Sequence, residues 1–116
     1  LDALVKNAPP DKTIFLFHSP PYDTFLDRAA LDGKKVEYTP LDVHIGSIAI
    51  KRFIDSFQPF ITLHGHVHES SQITGEWQQT FDKTISFSAA YNEEKLAIIS
   101  FDTSNPQNAE RKLIEL

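Results

Sequence analysis

An apolar run, Phe60-Ile61-Thr62-Leu63, drives directly into His64-Gly65-His66-Val67-His68-Glu69-Ser70. In an extended chain, residues two apart project to the same side. His66 and His68 are therefore expected to converge on one point while Val67 turns back to the core. Neutral imidazole is a common ligand for zinc, manganese and iron, and Gly65 lets the backbone change direction sharply. The stretch reads as a strand that ends in a metal-binding turn. The plainer alternative is a pair of hydrogen-bonded surface histidines.

A matching feature lies upstream. Thr13-Ile14-Phe15-Leu16-Phe17 is a short continuous apolar run, expected to be a buried strand. It delivers His18 to its C-terminal end, where Ser19-Pro20-Pro21 forces a loop that the prolines stiffen. His18 is expected as a metal ligand, the alternative being a strand cap. Residues 22–38 are polar and mixed, and read as a short helix near 25–31 or as a long surface loop of the functional kind. Ser47 is a good N-cap for a helix over residues 47–57, with Ile48, Ile50, Phe53, Ile54 and Phe57 on its apolar face. Pro59 ends it.

A strand, a crossover containing a helix and a second strand make a βαβ unit with parallel strands. That topology carries His18 and His66 to the same edge of the sheet, where open α/β folds place their sites. His64 is expected to be buried and hydrogen-bonded. Asp42-x-His44 follows a loop with no strand to deliver it, so loop structure or a substrate-side contact is favoured over metal ligation. Glu69 either orients an imidazole or is solvated, and Trp77 reads as core or partly buried surface. Further short strands are expected at 72–77, 83–88, 96–101 and 111–116, separated by turns at Gly75-Glu76, Phe81-Asp82 and Asn92-Glu93 and a loop at 104–108. Residues 1–7 resemble the last turns of a helix, stopped by Pro9-Pro10.

Composition narrows the function classes. The chain's 116 residues, 41% of them hydrophobic, suffice for one domain with a real core. A net charge of -5 without a basic run argues against a nucleic-acid or acidic-membrane surface. There is no cysteine, so neither a disulfide nor a thiolate site is possible; a reducing, cytoplasmic location is expected. The apolar runs are too short for a membrane span or signal peptide. There is no methionine either, so a chain beginning at Leu1 is expected to derive from a longer one.

Gly65-His66-Val67-His68, together with Phe17-His18-Ser19-Pro20-Pro21-Tyr22-Asp23-Thr24 upstream and Gly46-Ser47 between them, resembles the C-terminal half of a calcineurin-like metallophosphoesterase. The resemblance runs from about residue 13 to 102. It implies part of a four-layer αββα sandwich, with two metal ions (manganese, iron or zinc) at the C-terminal edges of the strands. It further implies that His18 and His66 bind one metal and His68 the other. Two such ions, about 3.5–4 Å apart, clamp a phosphate ester for in-line attack. Tyr22, His44 and the loop around them are where substrate contacts are expected.

The family's front half carries an Asp-x-His motif, a Gly-Asp-x-x-Asp motif and a Gly-Asn-His motif. This chain's glycines, at 33, 46, 65 and 75, precede Lys34, Ser47, His66 and Glu76, so both glycine motifs are missing. The one Asp-x-His, at Asp42 and His44, follows the first family histidine instead of leading. The bridging carboxylate, the asparagine ligand and the proton donor are therefore expected on an N-terminal half, present as a separate chain or as the remainder of the same one. The 116-residue chain alone is expected to be inactive. A non-catalytic metal- or partner-binding fragment is the alternative. A cupin places a glutamate ligand a few residues beyond its His-x-His, a spacing that neither Glu69 nor Glu76 meets, and an amidohydrolase barrel needs about 250 residues.

Overall fold

The computed structural model describes residues 5–116. The first four positions of the expected N-terminal helix lie outside the described residues; Val5 to Asn7 close one turn, in which Ala8 N–H donates to the Val5 carbonyl at 3.0 Å. The fold is mixed α/β. A four-stranded sheet has the order β1-β4-β6-β5, from β1 (Ile14–Leu16), β4 (Ile61–His64), β6 (Thr84–Ser88) and β5 (Gln78–Phe81). Helix α1 (Ile48–Phe57) lies in the crossover between β1 and β4, which pair in parallel with Ile14 opposite Ile61. This is the expected βαβ unit. Strand β6 then joins β4, also in parallel, and β5 folds against β6 antiparallel through a turn in which Asp82 is left-handed. A separate antiparallel pair, β7 (Lys95–Ser100) and β8 (Glu110–Glu115), forms a second sheet.

Each face of the main sheet has its own packing partner. On one face Phe15 and Phe17 meet α1: Phe15 sits edge-on to Phe53 at 5.1 Å and to Phe57 at 5.9 Å. The helix presents Phe53 and Ile54 inward, its Ser47 cap accepts the Ile50 N–H at 3.1 Å, and Gln58 ends it in a left-handed conformation. Ile48, expected on this apolar face, is exposed. On the other face Ile61, Ile85 and Phe87 form a buried cluster, joined by Leu63, Trp77, Ile99 of the second sheet and Phe101 just beyond β7. Burying these side chains, at roughly 1.5–3 kcal/mol each, holds the two sheets together.

Three expectations change. First, β1 is an edge strand, so Ile14 and Leu16 are open to solvent, Leu16 at 79%. A continuous apolar run is compatible with a buried strand but does not say whether both faces are covered. Second, residues expected to begin a strand at 72 instead form a short helix α2 (Ser70–Thr74), closed by Gly75 in the left-handed region. There Ser70 Oγ donates to the Val67 carbonyl and Thr74 Oγ1 to the Ser70 carbonyl, local bonds that compete with strand pairing. The strand starts only at Gln78. Third, the short helix near 25–31 does not form, and of the two readings of residues 22–38 the long loop is the one the chain takes. Their only regular piece is half of a miniature hairpin, β2 (Lys35–Val36) with β3 (Thr39–Pro40), whose turn residues Glu37 and Tyr38 are both left-handed, as a two-residue hairpin loop requires. No helix among the described residues is long and apolar enough to cross a membrane.

Candidate metal and substrate site

The two parallel strands end side by side. Phe17 N–H donates to the Leu63 carbonyl at 2.8 Å and Gly65 N–H to the His18 carbonyl at 3.1 Å, so the two chains leave the sheet in step. Beyond that point His66 takes φ 74° and Val67 N–H bonds back to the Gly65 carbonyl at 3.0 Å. This is a three-residue γ-turn with histidine at its centre, a strained conformation for a residue with a side chain. The sharp turn expected at Gly65 therefore falls on His66. Gly65 has no positive φ, and a Cβ placed there would meet only the His18 carbonyl, at 3.8 Å.

The turn swings His66 onto His18. Nε2 of His18 and Nδ1 of His66 are 2.9 Å apart, and their ring centroids 4.7 Å. Both rings are exposed. The contact is a hydrogen bond between the two rings, one nitrogen donating and the other accepting. Two imidazole nitrogens on one tetrahedral ion stand roughly 3.3–3.4 Å apart, so a small separation of the rings would let the pair share an ion. Strand alternation, the basis for expecting His66 and His68 to converge, stops at His64. Val67 is buried as expected, and His68 stands exposed on the next turn. No group of three or more histidine, cysteine, aspartate or glutamate side chains that could hold a metal occurs among the described residues.

His64 is buried between the loop and the sheet. Its Nδ1 lies 2.9 Å from the Ser19 carbonyl and its Nε2 2.7 Å from Thr62 Oγ1. A carbonyl only accepts, so Nδ1 carries the proton and Nε2 accepts from Thr62. Thr62 Oγ1 in turn receives the Ser86 hydroxyl at 2.5 Å. Burial pushes the His64 imidazole down to about 4, against a smaller opposing effect from the Ser19 carbonyl. This neutral side chain anchors the loop that leaves His18.

Gly46 clamps the same loop from outside. A Cβ there would lie 2.6 Å from the Pro20 oxygen and 2.8 Å from Pro21 carbonyl atoms, so only glycine fits. Ser47 N–H donates to the Pro20 carbonyl at 2.8 Å, and Tyr22 N–H to the Ser47 carbonyl at 3.1 Å.

This clamp brings Tyr22 and His44 together, with ring centroids 6.1 Å apart. Asp42 joins them: Tyr22 OH donates to its Oδ2 and the His44 main-chain N–H to its Oδ1 at 2.9 Å. The Tyr22 hydroxyl holds the Asp42 carboxyl below its usual range, and that carboxylate raises the Tyr22 phenol. The residue beneath them carries no site pattern in the sequence. Asp27 is fully buried and accepts main-chain N–H groups from Asp23, Thr24 and Gly46 at 2.9–3.0 Å. Its Oδ1 also lies 2.6 Å from His44 Nδ1. Thr24-x-x-Asp27 spacing was the one available signal, since short polar side chains at such spacing bond nearby backbone. Glu69 accepts the Ala30 N–H at 3.4 Å, tying this loop to the start of α2.

No protein-family model matches the chain, and no solved structure matches it. Over 70 residues, 58% of this chain, it is 40% identical to the uncharacterized protein MJ1162 of Methanocaldococcus jannaschii. The matched stretch amounts to 27% of that protein's length.

Proposed function

We propose that this chain is the C-terminal part of a metal-dependent phosphoesterase that hydrolyses phosphomonoester or phosphodiester bonds at a dinuclear metal centre. The observation that carries the reading is the 2.9 Å approach of His18 Nε2 to His66 Nδ1 at the ends of adjacent parallel strands. A strained backbone at His66 supports it, because strain of this kind collects where geometry serves function. His18 and His66 would hold one ion and His68 would serve the second. When bound, the ions supply Lewis-acid polarisation of the phosphoryl group and generate the nucleophile. The neutral imidazoles hold cations without adding negative charge that would repel the phosphate. His64, Gly46 and the paired prolines fix the loop, so that His18 keeps its place to the few tenths of an ångström that ligation demands. Tyr22 and His44 face the ester.

The carboxylate and asparagine ligands, and the proton donor, would come from an N-terminal half, as a separate chain or as the rest of this one. Exposed Ile14 and Leu16, on an edge strand with one free side, supply an apolar surface for such a half to cover. The location would be cytoplasmic.

The test has two arms. Titrating the chain with zinc or manganese should give binding that His66→Ala removes. Joined to its N-terminal half, the chain should hydrolyse bis(p-nitrophenyl) phosphate in a metal-dependent way. Metal binding without turnover in the completed protein would leave a non-catalytic metal-binding module instead.

A further inference from the structure

The two stacked sheets are unequal. The first has four strands, and the one packed on it, β7 with β8, has two. Residues in register on neighbouring strands share a face. Ile14, Ile61 and Ile85 therefore form one row beneath the second sheet, and Leu16, Leu63 and Phe87 form the next. Exposure changes abruptly along each row. Ile14 is 40% exposed against 0% for Ile61, and Leu16 is 79% exposed against 1% for Phe87. The second sheet covers β4 and β6 and leaves β1 bare.

Side-chain contacts show which way the second sheet is offset. Arg111 of β8 sets its guanidinium 5.8 Å from the ring of Trp77, which directly precedes β5. Ile99 of β7, opposite Arg111, packs on the Ile61, Ile85 and Phe87 cluster. It also walls a cavity of about 150 Å³ together with Leu63 of β4. So β8 lies toward β5 and β7 toward β4. Among the described residues β7 pairs only with β8, and its free edge points toward β1. Neighbouring strands lie about 4.8 Å apart. One more strand beside β7 would lie above β4 and β1, close the cavity and cover Ile14 and Leu16.

Scattered exposed aliphatics are ordinary. These two are the uncovered end of buried rows, beside a strand edge whose backbone groups have no partner. A second copy of the chain is a poor occupant. Pairing β7 with its twin would bring the overhanging β1 strands of both copies into the same space.

We propose that an extended segment of the parent protein, outside these 116 residues, pairs with the free edge of β7 as a third strand. Apolar side chains at alternate positions would face inward and bury Ile14 and Leu16. In MJ1162 the matched stretch is 27% of the chain, so a protein of that length holds ample sequence for such a strand. The proposal rests on the reading that this chain is part of a longer protein, and not on the phosphoesterase chemistry.

The experiment is amide hydrogen exchange on the intact parent protein. In an edge strand every second N–H points outward without a strand partner. In the parent, successive amides from Leu96 to Ser100 should all be protected, the outward ones slowed at least about a hundredfold relative to unfolded chain. This chain has no cysteine, so Leu16→Cys places a single thiol on β1. In the parent it should react with a maleimide at least about tenfold more slowly than in urea, as a covered site does. Protection of only alternate β7 amides, or labelling of Leu16→Cys at its urea rate, would overturn the proposal. Protection of the outward amides in the 116-residue chain alone, rising with its concentration, would assign the edge to a second copy and overturn it too. None of these readouts involves metal or turnover. An inactive parent with a fully protected β7 would defeat the phosphoesterase reading alone, and an active parent with a half-protected β7 would defeat this proposal alone.

Discussion

Nε2 of His18 and Nδ1 of His66 come within 2.9 Å although the residues are 48 positions apart in the chain. The parallel pairing of β1 with β4 sets this meeting, and the left-handed turn at His66 completes it. If the pair holds an ion, each imidazole should matter. His18→Ala and His66→Ala are expected to weaken zinc or manganese binding by at least about tenfold each, the loss of one of two ligands. Calorimetric titration of the variants checks this. Two neutral ligands cannot hold a dinuclear centre, so the chain alone should show no turnover of a generic phosphodiester with manganese.

Strain at His66 gives a prediction that separates stability from binding. A side chain in the left-handed region costs roughly 1–2 kcal/mol, and the exposed His66 ring gains little from packing. His66→Gly should therefore stabilise the fold by about 0.5–1 kcal/mol while removing metal binding. Urea denaturation beside the same metal titration reads both. Loss of stability would mean that the ring contributes packing that its exposure does not reveal.

Gly46 should tolerate no substitution. A Cβ would sit 2.6 Å from the Pro20 carbonyl oxygen, which is main chain and cannot swing aside. Gly46→Ala is expected to cost about 1–3 kcal/mol, in the range of overpacking. The Gly46 N–H bond to Asp27 would shift with it, so His44 should lose its fixed orientation. Denaturation midpoints and the His44 ring signals check the two effects.

The sequence revealed some of this geometry and not the rest, for physical reasons. Strand and helix periodicity reports which residues are apolar together, and it located β1, α1 and β4 and so brought His18 to His66. It could not foresee that the turn would fall on His66, because glycine beside it is the usual carrier of a positive φ. Periodicity is also silent on buried polar residues. Asp27 sits in a mixed polar stretch and is buried only because three backbone N–H groups and His44 satisfy it. Leu16 looks like core by composition, and whether its face is covered depends on neighbours that a single strand does not encode.

The buried His64 sets the pH behaviour of the fold. Its imidazole ordinarily titrates near 6.5, and burial lowers this to about 4 in the folded chain. Between those values the unfolded chain binds a proton that the folded chain refuses, so stability falls as pH falls. The contribution is fully present above pH 6.5 and is lost on the way down to about 4. At 1.36 kcal/mol per pH unit the total loss is about 3 kcal/mol. Protonation would also reverse the Thr62 bond, since Nε2 would then donate to the Thr62 hydroxyl oxygen. Asp32, Asp42 and Asp102 have carboxyls held below 3.8 by local hydrogen bonds. They lose their contributions only at lower pH, leaving the His64 window separate. Denaturation of the chain at a series of pH values should show this slope, and His64→Gln, which keeps a polar side chain but cannot titrate, should flatten it. An unchanged slope in the variant would assign the acid sensitivity to other groups.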